Sequence, residues 1–172
     1  MKQLLLAVLL LSIASLALSQ DQAESTVTKM GQKVPQFVAS TLDGKTFDIS
    51  QMKGKVVLIN FFATWCGPCM AEMPKLEKDI WQQLKDEGLV VLAVGREHST
   101  DELIKFNKEK GFSFSIAPDP KRAIYSLFAT QYIPRNVVVG KNGTIVFQGM
   151  GYSPEEFAKM ADVIKRQLKT PS

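Results

Sequence analysis

Cys66 and Cys69 are the only cysteines in a chain of 172 residues, and they stand two apart in Trp65-Cys66-Gly67-Pro68-Cys69. A pair so spaced can be a structural staple, half of a metal site, or a reactive couple. A mature chain of about 150 residues buries about 70% of its unfolded surface and needs no staple. A structural zinc site takes about four ligands. This chain offers these two Cys, a single His, His98, and carboxylates, with no second Cys pair, and haem attachment requires His where Met70 stands. No metal and no separate cofactor are therefore expected. His98 lies between a strand and a helix cap and reads as an exposed loop residue. Met70, Met73, Met150 and Met160 read as gap-filling or solvent-facing residues, not as a metal-binding array.

The reactive reading has a physical basis. The pair follows an apolar, β-branched run, Lys55 to Phe62, and opens a helical pattern. At a helix N-terminus, unpaired N–H groups and the positive end of the dipole favour a thiolate at Cys66. Cys69 comes one turn later, so its sulfur can face Cys66. The couple can then alternate between dithiol and disulfide: Cys66 attacks a disulfide, and Cys69 resolves the mixed species. Pro68 restricts the backbone at the helix start, and Gly67 leaves room for a partner chain. Trp65 borders the docking surface, whereas Phe62 reads as core.

Several elements must position this pair. Asp43-Gly44 between short β-prone runs predicts an N-terminal hairpin. Lys55 to Phe62 and Leu89 to Val94 read as strands buried on both faces. Cys69, Met73, Leu76, Ile80 and Leu84 share one helical face, with a kink expected at Pro74. Ser99 to Glu102 is a capping box opening a second helix that Gly111 stops. Phe112 to Ile116 alternates as a strand, and Asp119-Pro120 predicts a helix to about Phe128. Asn142-Gly143 joins a terminal hairpin. Ser153-Pro154 then starts a last helix with Phe157, Ala161, Ile164 and Leu168 on one face. The order, with strands and helices alternating, predicts one α/β domain over 34–172 with a mostly parallel core sheet.

Residues 1–19 read as a secretory signal peptide: Lys2, an apolar run from Leu4 to Leu18, and a small-x-small site at Ala17-Leu18-Ser19. The competing reading, a retained anchor, has a run shorter than the roughly 18 residues a spanning helix needs. Residues 20–33 are polar and read as a flexible leader. The net charge is +4, without a Lys/Arg block, so nucleic-acid binding is not expected.

Trp65-Cys66-Gly67-Pro68-Cys69 after an apolar strand, with Pro74 five residues on, resembles the thioredoxin superfamily. With the export signal, the hairpin and the extra helix–strand segment from Ser99 to Ile116, the chain most resembles exported TlpA/ResA-like thiol-disulfide oxidoreductases, from about Val34 to Leu168. The resemblance implies a thioredoxin-like three-layer fold, with a mixed central sheet and helices on both faces. It implies a cis-proline at Ile133-Pro134, with Ile133 offering backbone groups to a substrate peptide. Arg135-Asn136 departs from the Thr common after that proline; Arg135 reads as a solvated residue or as a contact for an acidic partner. Asn60 stands where cytosolic thioredoxins carry a buried Asp, and Glu72 matches the Glu of ResA-like proteins. The resemblance thus implies a catalytic set of Cys66, Cys69 and Glu72, and substrate contacts at Trp65, Gly67, Pro68, Ile133 and Pro134.

The implied activity is reduction of disulfides in extracytoplasmic proteins, by a monomer fed with electrons from a membrane protein. Cytochrome c maturation or periplasmic thiol homeostasis are roles the resemblance permits. A peroxiredoxin-type peroxidase fits poorly, because Thr64 stands two rather than three residues before Cys66. A non-enzymatic peptide-binding module would not require both cysteines.

Overall fold

A computed structural model describes residues 24–171. The stretch 1–19 that reads as a signal peptide and the first residues of the expected leader lie outside the described residues.

The central sheet has five strands in the order β5-β4-β3-β6-β7. These are β3 (Val56–Phe62), β4 (Leu89–Arg96), β5 (Ser115–Asp119), β6 (Arg135–Val139) and β7 (Ile145–Met150). Strands β3, β4 and β5 run parallel, whereas β6 pairs antiparallel with β3, and β7 antiparallel with β6. A small separate sheet pairs β1 (Val38–Ser40) with β2 (Thr46–Asp48). The mixed sheet expected from the resemblance is present.

Alternation along β3 divides the core. Val56, Leu58 and Phe62 face one cluster, and Val57, Ile59 and Phe61 face the other. The first cluster holds the helices. They are α1 (Gly67–Lys75), continued by a π-helical stretch Leu76–Trp81, then α2 (Thr100–Lys110) and α3 (Pro154–Lys169). Cys69, Met73, Leu76, Ile80 and Leu84 are all buried there, as their spacing predicts. In place of a simple kink after Pro74, the helix changes its hydrogen-bonding period.

The second face is covered by the hairpin and by short 3-10 turns, not by an α-helix over 119–128. Asp119 ends β5, and its carboxylate accepts from the N–H groups of Ile124 and Tyr125. Arg122 takes φ +57°, which interrupts a helix, and only Tyr125–Leu127 forms a 3-10 turn. The strand expected at 112–116 begins later in the chain. Phe112 and Phe114 pack into the helical cluster, and pairing with β4 begins at Ser115.

The polar leader is also different from its expectation. Ser25 and Thr28 are buried, Thr26 bridges Ala129, and Lys33 bridges Thr144. Residues 25–33 are docked because their backbone groups complete hydrogen bonds to Phe128, Thr130 and Ile145. Low hydrophobicity does not report such pairing.

Candidate active site

Strand β3 ends at Phe62, and Ala63, Thr64 and Trp65 carry the chain to the helix start. Cys66 is the N-cap of α1, with extended backbone (φ −84°, ψ 108°). Its sulfur accepts from the Cys69 N–H at 3.2 Å, and its carbonyl accepts from the Met70 N–H. This arrangement stabilises negative charge on the Cys66 sulfur, as reasoned from the helix start. Cys66 and Cys69 form a disulfide. Cys69 is fully enclosed, and Cys66 retains 6% exposure, so a partner reaches Cys66 first.

Gly67 and Pro68 are exposed beside the disulfide, and a Cβ on Gly67 would meet nothing within 4 Å. Trp65 is 65% exposed. The Arg96 guanidinium lies 5.9 Å from the Trp65 ring centroid and 5.0 Å from that of Tyr125.

The opposite wall is the loop before β6. The Ile133–Pro134 bond is cis. The Ile133 carbonyl oxygen lies 3.8 Å from the Cys66 sulfur, partly exposed, while Pro134 is buried. Tyr125 supports this loop by donating its hydroxyl to the Tyr132 carbonyl at 2.7 Å. The structure therefore brings the segment Trp65–Pro68 against the Ile133–Pro134 loop through the Cys66–Ile133 contact.

Glu72 lies one turn beyond Cys69 and is 2% exposed. Asn60 donates to its Oε2 at 3.0 Å and Asn136 to its Oε1 at 2.6 Å, and Asn60 also donates to Asn136 Oδ1. Burial pushes the carboxyl up to about 7, against the opposing effect of the two amide donors. A crevice of about 10 Å³, bordered by Glu72, Asn136, Glu156 and Met160, has room for about one water beside it. Larger clefts, such as the one of about 280 Å³ between Lys33, Lys53 and Gly143, lie at the other end of the sheet and hold none of these groups.

Three residues play parts that their types did not announce. His98 is not an exposed loop residue: it is 5% exposed, and its Nε2 accepts the Thr64 N–H at 3.0 Å. It thus braces the loop that presents Cys66. Arg135 is neither solvated nor turned to a partner, for it is 4% exposed and bonded within the chain. Asn136 completes the Glu72 cradle because β3 and β6 pair Asn60 with Asn136. A polar residue followed directly by the apolar run Val137–Val139 was the one available signal for it.

A redox-active disulfide at a helix N-cap, facing a cis-proline loop on a sheet of this order, defines a thiol-disulfide oxidoreductase of thioredoxin-like fold. The chain belongs to the Redoxin family, whose model matches residues 29–164. Among curated proteins it is 30% identical over 145 residues to the thiol-disulfide oxidoreductase ResA of Geobacillus kaustophilus, covering 84% of this chain and 83% of that protein. Two solved structures are similar. One, from Bacteroides thetaiotaomicron, is described as a protein disulfide isomerase (34% identity, TM-score 0.81, 85% and 94% covered). The other, from Chlorobium tepidum, is described as the thiol:disulfide interchange protein DsbE (27% identity, TM-score 0.72, 81% and 98% covered).

Proposed function

We propose that this protein is an extracytoplasmic reductant of protein disulfides that works through the Trp65–Cys69 motif, with Glu72 as its proton carrier. The reduced Cys66 thiolate attacks one sulfur of a partner's disulfide, and the other partner sulfur leaves as a thiolate. Cys69 passes its proton to the Glu72 carboxylate and attacks the Cys66 sulfur. The Cys66–Cys69 disulfide forms, and the second partner sulfur leaves and takes up a proton. The partner's disulfide gains two electrons, and the Cys66–Cys69 dithiol loses them. A carboxyl with a pKa near the working pH can both accept and return that proton.

The observation that carries this reading is Glu72 itself, buried one helical turn after Cys69 and held by Asn60 and Asn136. The Gly67-Pro68 dipeptide supports the reducing direction, since it resembles that of reducing thioredoxins. Residues 1–19 support export, and among the described residues no helix is long and apolar enough to cross a membrane. In an oxidising compartment the dithiol must be regenerated, so an electron donor in the membrane is part of the proposal. The Cys66–Cys69 couple serves as the redox group without a further cofactor, and the substrates are exported proteins bearing disulfides, met by a monomer.

The test is Cys69→Ser, expressed in the exported form. It should accumulate mixed disulfides through Cys66, and mass spectrometry should identify exported proteins in them. A variant that traps nothing while remaining folded and exported would refute the proposal.

A further inference from the structure

Ser25 to Thr28 precede the residues that the Redoxin model matches, yet they are built into the wall opposite the disulfide. The Arg135 guanidinium is their anchor. Its Nη2 donates to Ser25 Oγ at 2.6 Å and to the Ser25 carbonyl at 3.2 Å, its Nη1 donates to Thr26 Oγ1 at 2.9 Å, and its Nε donates to the Gln131 carbonyl at 2.9 Å. All four acceptors are neutral. The Ser25 carbonyl also accepts from the Thr130 N–H at 2.9 Å, and Val27 N–H donates to the Phe128 carbonyl at 2.9 Å. From within the domain, Arg122 donates to the Thr130 carbonyl and Tyr125 to that of Tyr132. The carbonyls of residues 130, 131 and 132 are therefore each occupied, and Ile133, next in line, faces Cys66.

We propose that Ser25–Thr28 form a strap that, through Arg135, positions the Gln131–Pro134 loop for docking a partner polypeptide. The proposal rests on the reading of Ile133 as the residue that meets the partner's chain. A loop that pairs with a peptide through backbone groups binds best when already ordered, because ordering it on binding subtracts from affinity. Arg135 spans from the strap to Gln131, and each charge-assisted bond removes one way for the loop to move. A small disulfide meets only the sulfurs and does not use this loop. Ser25, Thr26 and Arg135 are positioning residues, not catalytic ones.

The experiment uses the full chain with Ser25→Ala and, separately, Thr26→Val, each confirmed folded by circular dichroism. Insulin is the protein disulfide, with dithiothreitol as electron source, and 2-hydroxyethyl disulfide is the small one. Ser25→Ala should raise the KM for insulin about tenfold, the worth of one charge-assisted hydrogen bond, with kcat within about twofold. Thr26→Val should move KM in the same direction. Rates with the small disulfide should hold. An unchanged KM for insulin in both variants, or an equal fall with both substrates, overturns the strap while leaving the oxidoreductase reading intact. A wild-type chain that cleaves the small disulfide but not insulin overturns the docking reading and the strap with it.

Discussion

Glu72→Gln removes the one titrating group in the cradle while keeping the side chain's size. In the folded chain the carboxyl is displaced from its ordinary 4.5 to about 7, chiefly by burial. At roughly 1.36 kcal/mol per pH unit, that displacement is worth about 3 kcal/mol. Below pH 4.5 both folded and unfolded chains hold the proton. Between 4.5 and 7 the folded chain keeps a proton that the unfolded chain releases, so stability falls as pH rises. Above about 7 both are ionised, and the loss is complete. Gln at this position cannot titrate, and its amide accepts from only one of Asn60 and Asn136. That cost is the same at every pH and leaves the slope untouched. Urea unfolding of the oxidised proteins, followed by circular dichroism from pH 4.5 to 8, should show the variant gaining about 3 kcal/mol relative to wild type. In thermal melts the same change is roughly 6–12 °C. Parallel stability curves for the two proteins would refute the buried-carboxyl argument. The same substitution should remove any limb near pH 7 from the rate profile of disulfide exchange.

Other outcomes follow from single contacts. His98→Ala leaves the Thr64 N–H without its acceptor under a buried side chain; urea unfolding should show a loss of about 1–3 kcal/mol, and amide exchange at Thr64 should speed up. Tyr125→Phe removes the bond to the Tyr132 carbonyl while keeping the ring beside the guanidinium groups of Arg96 and Arg122. The expected cost is about 1 kcal/mol by denaturant titration.

Local pattern was enough for much of the fold. The spacing of Cys69, Met73, Leu76, Ile80 and Leu84 predicts the buried face of α1, and the Ser99–Glu102 capping box forms as read, with both of its reciprocal bonds. Such features are legible because a helix face or a cap involves residues three or four apart. The segment after Asp119 departs from its local pattern for the converse reason. Asp119 and Pro120 look like a helix start, but the Asp119 carboxylate reaches Ile124 and Tyr125, across a turn held at positive φ by Arg122.

By itself the sequence determined that two cysteines open a helix after a buried strand, and that Glu72 follows Cys69 by one turn. These are properties of spacing. Only the tertiary structure decided what surrounds them. Asn136 reaches Glu72 because β6 inserts beside β3, Arg135 turns inward because the leader supplies its acceptors, and His98 is buried because Thr64 offers it an N–H. Each of these polar side chains would be exposed on an isolated segment. Each is buried here because a partner far along the chain satisfies it, and long-range pairing leaves no periodic trace in sequence.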